Sequence, residues 1–453
     1  MARYLIAATA LPGHVAPLLA IAAHLRQRGH QVLLHTGSSF AAAARARGID
    51  FVPFAAEIDY DYRSVHERFP DWKTLPSAHA QLCYGLRHAF ADAMPAQLAG
   101  IDALLQQFRP DAIVVDSMFC GTVALQRRGP ARPPVVGIGI SALALSSADT
   151  AFFGTALPPS SAAADRQRNL AMARNLQQAM FGGVQQHFDA VLARLGLAPL
   201  PCFFVDAMIR LPERYLQLCV PGFEYPRSDL PDSVRFVGSL LAPASADFVA
   251  PPWWAELGDR RRKVLVTQGT LANQDAQQLI VPTLRALADR DDLLVIATTG
   301  RDEAPDFSVP ANARVVPFLP YDRLLPQIDV LVSNGGYGSV NHALSLGVPL
   351  VVAGDSEEKP EIAARVAWSG AGINLVTGRP AARQIAEAVN RALEQPRYRE
   401  RARQLRDEYA RYDALGTIEA ELHGLVTGQP LAAGATAAAA SDHRQSQASG
   451  VAP

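Results

Sequence analysis

Residues 330–353 read VLVSNGGYGSVNHALSLGVPLVVA. The aliphatic run from Val330 to Asn334 is long enough for one buried strand and too short for a buried helix. Gly335, Gly336 and Gly338 then interrupt it. Small and apolar residues recur with helical spacing from Asn341 to Leu346, Gly347 stops them, and Val348 to Gly354 is again a strand. Strand, glycine turn, helix, strand is the repeating unit of a parallel sheet covered by helices on both faces. Three glycines also let a ligand approach the backbone, and the amides that open the helix point outward. The turn therefore suits an anion such as a diphosphate, with no metal required. A tight strand-to-helix turn without a ligand is the competing reading of the same residues.

Working outward, the same alternation recurs on both sides. Upstream, a strand begins at Lys263 (VLVTQ), a helix runs from about Asp275 to Ala288, and a further strand reads LLVIATT. Downstream, a helix spans about Arg383 to Glu394 and a charged helical segment runs from Tyr398 to Val426. The amino-terminal region begins with a strand (Arg3 to Ala8), a loop, a helix from Val15 to Arg28 carrying Leu18, Ile21, Ala22 and Leu25 on one face, and a strand from Gln31 to Thr36. Another strand, Ala112 to Val115, ends at Asp116, and one more begins at Val135. Between the two series lie Pro243, Pro251, Pro252, Trp253, Trp254 and the charged cluster Asp259 to Lys263, the composition of an exposed connection. The chain, at 453 residues, is too long for one ordinary core. The expected architecture is α/β, two Rossmann-like doubly wound domains facing a cleft. Residues 1–240 form the first, 241–262 a linker and 263–427 the second. Residues 428–453 carry almost no bulky apolar side chain and are expected to be disordered.

Composition narrows the function. Charged residues make up 19% and the formal net charge is -1, so nothing steers nucleic acid to the surface. The four cysteines form no CxxC pair, which argues against structural zinc and for a reducing compartment. The first apolar run breaks at Pro12-Gly13-His14 and lacks the flanks of a signal peptide, and no run reaches membrane-spanning length. A cytoplasmic location is expected.

Chemistry is expected where strands end. His14 follows the first strand, at the sheet edge where doubly wound folds bind ligands. An imidazole there can take a proton from a hydroxyl as its oxygen attacks; a structural or solvated turn histidine is the plainer alternative. Asp116 ends a strand at the same edge, where its carboxylate could orient that ring or cap the following segment. Asp59-Tyr60-Asp61 has the Asp-x-Asp spacing of a divalent-metal site, but it lies in a polar loop without a phosphate motif. Gly137-Ile138-Gly139-Ile140-Ser141-Ala142 is only a partial dinucleotide fingerprint.

Asn334 to Ala343, with GVPLVVAGDSEEKPEIAARV (Gly347 to Val366) and the amino-terminal GHVAPLLAIAAHLRQRGHQV, resembles the signatures of the UDP-glycosyltransferase superfamily, and the likeness covers residues 1 to about 425. It implies the two-lobed GT-B fold, with the final helix packing back toward the first domain. It also implies transfer of a hexose from a nucleotide diphosphate sugar (UDP or TDP) to a hydroxyl of an apolar small molecule. His14 and Asp116 are then the catalytic pair. The donor would be held by Gln268, Gly269, Thr270, Asn334, Gly336, Tyr337, Gly338, Ser339, Glu358 and Lys359, with the Phe318 ring over the nucleobase. An ordinary core Phe is the alternative for Phe318. Asn334 departs from the family's His and should lean on the helix amides while donating one hydrogen bond to phosphate. His342 stands where many relatives have a ribose-contacting Glu, and Lys359 where they have Gln. Lys359 would face phosphate or a differently substituted sugar, unless Asp355 to Glu361 is a solvated acidic helix start. Phe119, Phe152 and Phe153 are the expected acceptor-lining residues or plain core. No metal and no cofactor beyond the sugar nucleotide is expected. A nucleotide-sugar epimerase or hydrolase of this fold, and a non-catalytic donor-binding partner protein, are the alternatives.

Overall fold

The computed structural model describes residues 1–240, 248–269, 273–301 and 305–429. Most of the expected tail, part of the expected linker, and Thr270 lie outside these described residues.

Among the described residues, thirteen strands form two parallel sheets. In the first lobe they are β1 (Arg3–Ala7), β2 (Gln31–Thr36), β3 (Asp50–Pro53), β4 (Ala112–Asp116), β5 (Val135–Gly139), β6 (Arg214–Gln217) and β7 (Val234–Phe236), in the order β3-β2-β1-β4-β5-β6-β7. The second lobe has β8 (Arg262–Thr267), β9 (Leu293–Thr298), β10 (Ala313–Val316), β11 (Val330–Ser333), β12 (Leu350–Val352) and β13 (Gly372–Asn374), in the order β10-β9-β8-β11-β12-β13. The order reverses beside β1 in one sheet and beside β8 in the other. Each reversal opens a crevice at the carboxyl edge of the strands.

The central strands are near-continuous apolar runs because both faces are covered. Tyr4 and Ile6 of β1 pack with the Pro12–Gln27 helix on one face. Leu5 and Ala7 pack on the other with the Met94–Gln107 and Ala163–Arg194 helices. The latter helix, 32 residues long, has no counterpart in the sequence reading. Its buried positions are few and widely spaced, so its periodicity is weak. Gly137 and Gly139, the partial fingerprint, sit on β5 for packing. A Cβ on Gly139 would lie 2.4 Å from Gln217 Oε1, and one on Gly137 2.9 Å from the Tyr215 ring.

The charged segment read as continuous from Tyr398 to Val426 is two helices, Pro396–Tyr409 and Ala414–Thr427. Asp413 breaks it, accepting from the Gly416 N–H at 3.0 Å as the cap of the second helix. That second helix lies against the first lobe, with Ala414, Ile418 and Leu422 in the same core as Tyr4 and Ile6. Burying each of the two larger side chains contributes roughly 1.5–3 kcal/mol. A further apolar cluster mixes the lobes, joining Cys219, Val220 and Phe223 to Leu331, Tyr337 and Val340.

Candidate active site

His14 enters from the first lobe. The helix begins at Pro12, three residues earlier than the apolar spacing indicates, because proline suits a first turn where no intrahelical amide bond is needed. His14 therefore lies in that first turn and not in a preceding loop. Asp116 ends β4, the sheet neighbour of β1. Its side chain is fully enclosed and His14 retains 19% exposure. His14 Nδ1 lies 2.8 Å from Asp116 Oδ1. The same oxygen accepts from the Met118 N–H at 2.9 Å and the Thr9 hydroxyl at 3.2 Å, while Oδ2 accepts from the Thr9 N–H at 2.6 Å. Asp116 thus orients the imidazole and ties down the following turn at once. Burial alone would raise this carboxyl, but the His14 ring and the Thr9 and Met118 amides hold it below the usual carboxylate range. An ionised carboxylate only accepts, so the proton sits on Nδ1 and Nε2 keeps its lone pair.

The second lobe faces it with two glycine turns. The helix that follows the turn is Tyr337–Ser345, four residues earlier at its start than its apolar spacing gives, and no side chain caps it. The Tyr337, Gly338 and Ser339 amides precede the first intrahelical hydrogen bond, which the Val340 N–H donates to the Gly336 carbonyl at 3.0 Å. Side-chain atoms at Gly338 would meet open space, so a bulky anion can approach. Gly335 takes φ 90° and Gly269 φ 73°, conformations that favour glycine.

Several predicted donor contacts are spent inside the protein. The Asn334 amide donates to the Gln268 carbonyl at 2.6 Å, pinning the two turns together rather than reaching outward. The Gln268 side chain donates to the Asp275 carbonyl at 3.0 Å and accepts from the Ile280 N–H at 3.1 Å, holding its own loop. The Tyr337 ring is buried, and its hydroxyl accepts from Gln217 Nε2 at 2.6 Å, so only its backbone faces the cradle. Lys359 is buried; its ammonium donates to Ser356 Oγ at 3.2 Å and pairs with Glu357. His342 donates from Nε2 to the Leu240 carbonyl at 2.9 Å, and burial pushes its pKa down.

Glu358 lies where the second lobe meets the dyad. Burial and neighbouring Glu357 push its carboxyl above the usual range, against the pull of Lys359 and of His14 across the lobes. Phe318 is 56% exposed on the loop after β10, which removes the core reading and leaves a ring face open. Of the three phenylalanines expected to line the acceptor pocket or the core, two are enclosed and one lies between the lobes. Phe119 is 2% exposed and packs against Phe54 in the first-lobe core. Phe152 belongs to a buried cluster with Phe181 and Phe203. Phe153 packs at the lobe boundary beside the Arg365 guanidinium. Asp59 and Asp61 are spent on turns, accepting from the Ser38 and Arg63 amides.

The sequence reading missed Thr9, whose place beside Asp116 follows from the adjacency of β1 and β4. It also missed a charged seam between the lobes. Arg365, 1% exposed at its side chain, donates to Glu224 Oε1 at 2.8 Å and to Glu361 Oε2 at 2.8 Å. Glu361 Oε1 accepts from the Gly154 and Ala156 amides of the first lobe, both at 2.7 Å. The alternative of a solvated acidic helix start does not hold at Glu361, which makes an interior contact.

Two doubly wound lobes, one carrying an imidazole–carboxylate pair at a strand end and the other a glycine turn that opens a helix, have the architecture of a sugar-transferring enzyme of the GT-B class that uses a nucleotide sugar as co-substrate. Family models match on both lobes: a glycosyltransferase family 28 N-terminal domain over residues 11–129 and an erythromycin biosynthesis protein CIII-like C-terminal domain over residues 282–415. The chain is 41% identical to 4'-demethylrebeccamycin synthase of Lentzea aerocolonigenes over 94% of its length and 100% of that protein's. It is 38% identical to UDP-glycosyltransferase 2 of Phaeomoniella chlamydospora over 91% and 93% of the two chains. The spinosyn rhamnosyltransferase SpnG, solved with thymidine diphosphate, shares the fold with a TM-score of 0.66 at 19% identity, over 93% of this chain and 100% of that one. The chain belongs to the UDP-glycosyltransferase superfamily, in its macrolide and natural-product branch.

Proposed function

We propose that this enzyme is an inverting, metal-independent transferase that moves a hexose from UDP or TDP to a hydroxyl of an apolar acceptor. The observation that carries the reading is the 2.8 Å contact between His14 and the enclosed Asp116 carboxylate, which leaves Nε2 as a free base. Nε2 takes the acceptor's proton as its oxygen attacks the anomeric carbon, and Asp116 stabilises the imidazolium that results. The diphosphate leaves from the opposite face of the sugar, its charge met by the Tyr337–Ser345 helix amides, so no covalent intermediate is needed. Glu358 is assigned to the sugar hydroxyls, Phe318 to the nucleobase, and Gly269, Gly336, Gly338 and Ser339 to the diphosphate. Thr270 keeps its place in the same proposal. The apolar acceptor is supported by the natural products in the relatives' names, and TDP by the nucleotide bound to SpnG.

The test is to incubate the protein with UDP- and TDP-hexoses and a phenol and macrolide panel, with and without EDTA. Nucleoside diphosphate release, product mass and anomeric configuration are followed. An inverted glycoside formed equally in EDTA is expected. Free sugar or an epimerised donor without glycoside, retention of configuration, or loss of transfer in EDTA would each overturn the corresponding part.

A further inference from the structure

A second constellation lies in the first lobe, on residues that the transfer reaction does not use. His88, Asp92 and His187 bring one ligand atom each to within 4.8 Å of one another. His88 Nδ1 lies 2.8 Å from Asp92 Oδ2 and His187 Nε2 2.7 Å from Asp92 Oδ1. His88 belongs to a π-helical turn, Leu86–Phe90, and His187 to the long Ala163–Arg194 helix. Single π-turns are uncommon and gather at functional positions, because the extra residue re-aims side chains that a regular helix would send elsewhere. A cavity of about 230 Å³, lined in part by His88, Asp92, Tyr60 and Arg68, opens beside the group and gives a path from solvent.

From this geometry we infer that His88, Asp92 and His187 form a binding site for a divalent first-row transition metal of the zinc class, which clamps the π-turn to the long helix. Two imidazoles and one carboxylate, with water in the fourth position, are a sufficient tetrahedral set for zinc, and imidazole selects such ions over magnesium or calcium. Bond lengths of about 2.0–2.1 Å require ligand atoms roughly 3.3 Å apart, a small rearrangement of side chains that already converge. Without metal, each imidazole donates an N–H hydrogen bond to the carboxylate and keeps its proton. With metal, each moves that proton to its other ring nitrogen and offers the freed lone pair, so no net proton is lost. No backbone amide competes for Asp92 among the described residues. The nearest opposing charge is Arg194, whose Nη2 lies 3.7 Å from Oδ1 on a side chain that is 61% exposed and free to swing into solvent.

The experiment uses the full chain, free of any affinity tag and stripped with a chelator. Zinc is titrated in competition with a chromophoric chelator, cobalt(II) is added in parallel, and melting temperature is read with and without zinc. One tight equivalent, an intense tetrahedral cobalt spectrum, and a zinc-dependent rise in melting temperature are expected. His88→Gln and His187→Gln should each weaken that equivalent by at least about 10- to 100-fold and abolish the rise, the scale on which outer-sphere changes alone act. Their melting without zinc should match that of the native chain, so a folding defect is recognised by its zinc-independent loss. The nearest rival pair is His79 and Cys83, with Nε2 and Sγ 3.5 Å apart. Cys83→Ser should leave the tight equivalent intact. The inference is overturned if the glutamine variants bind the first equivalent as tightly as the native chain, if Cys83→Ser loses it, or if no equivalent binds more tightly than in the double glutamine variant.

Discussion

Replacing Asp116 by Asn separates orientation of the base from the rest of the site. The carboxylate is enclosed and meets donors on both oxygens, from His14, Thr9 and Met118 at Oδ1 and from the Thr9 amide at Oδ2. An amide has one acceptor side only. With its oxygen at the Oδ1 position, its NH2 meets the Thr9 N–H, which sits at 2.6 Å in the native protein. A buried donor facing a donor costs about 1–3 kcal/mol of stability. With the amide turned the other way, its NH2 faces the Met118 N–H, a comparable donor clash, and also meets His14, so the ring must present a lone pair at Nδ1 and carry its proton on Nε2. The base is then already occupied. Turnover should fall by about two to four orders of magnitude, the range that general-base catalysis supplies. Initial rates of diphosphate release at saturating donor and acceptor measure this, alongside calorimetric donor affinity, which should stay near native. Because the pair acts as a unit, Asp116→Asn combined with His14→Ala should be no slower than His14→Ala alone. Turnover of Asp116→Asn within about tenfold of native, with a lowered melting temperature, would reduce Asp116 to a structural role and refute the dyad.

Phe318→Ala should weaken UDP or TDP binding roughly 2- to 10-fold by calorimetry, since an aromatic stacking contact supplies about 0.5–1.5 kcal/mol, and should leave melting unchanged because the ring is already 56% exposed; equal affinity would remove it from the nucleobase. Arg365→Met leaves the buried Glu361 without its cation and Glu224 with Arg227 alone, and should cost toward the lower end of about 3–5 kcal/mol in denaturant unfolding, with much of the loss recovered when Glu361→Gln is added; additive losses would show that Arg365 and Glu361 are not coupled. Burial alone would raise the Glu224 carboxyl, but Arg365, Arg227 and the Leu143 amide hold it below its ordinary value of 4.5, and Asp116 lies below 3.8. A carboxyl depressed in the folded state lends stability that is complete above its ordinary value and lost as pH falls through the folded one. Melting temperature should therefore decline below about pH 4, less steeply in Glu224→Gln than in the native chain, and parallel curves would contradict this.

The parallel sheets and the glycine turn were legible because each rests on a local pattern: apolar runs bounded by turn residues, and glycines before a helix. His14 and Asp116 were legible because a strand end is a place in topology as well as in sequence. What could not be read was the direction in which a polar side chain is spent. Asn334, Lys359, Tyr337 and Gln268 were expected from the sequence to touch the donor, yet their side chains bond Gln268, Glu357, Gln217 and Asp275. Periodicity is silent on such choices, since they depend on neighbours up to 120 residues away, as for Gln217 and Tyr337. The phenylalanines illustrate the same limit, for an aromatic ring fits a core and a pocket equally well until its neighbours are known.

The Arg365 seam bears on chemistry through the placement of Glu358. The helix that carries Arg365 and Glu361 is Lys359–Trp368, and Glu358 is its N-cap. Glu361 holds the Gly154 and Ala156 amides, and Arg365 holds Glu224, so two turns of this one helix are fixed against the first lobe. The residue at the helix start is thereby registered against the lobe that carries His14. Hydrophobic contacts such as those of Phe223 and Val340 would let the lobes slide, because apolar packing is non-directional. Hydrogen-bonded charges permit one register, at a desolvation cost that a uniformly apolar seam would not incur. The seam is thus better explained by the accuracy it gives the cleft than by the stability it adds, since the proposed base, His14, and the proposed sugar-binding carboxylate, Glu358, come from different lobes and would depend on that register for a productive approach.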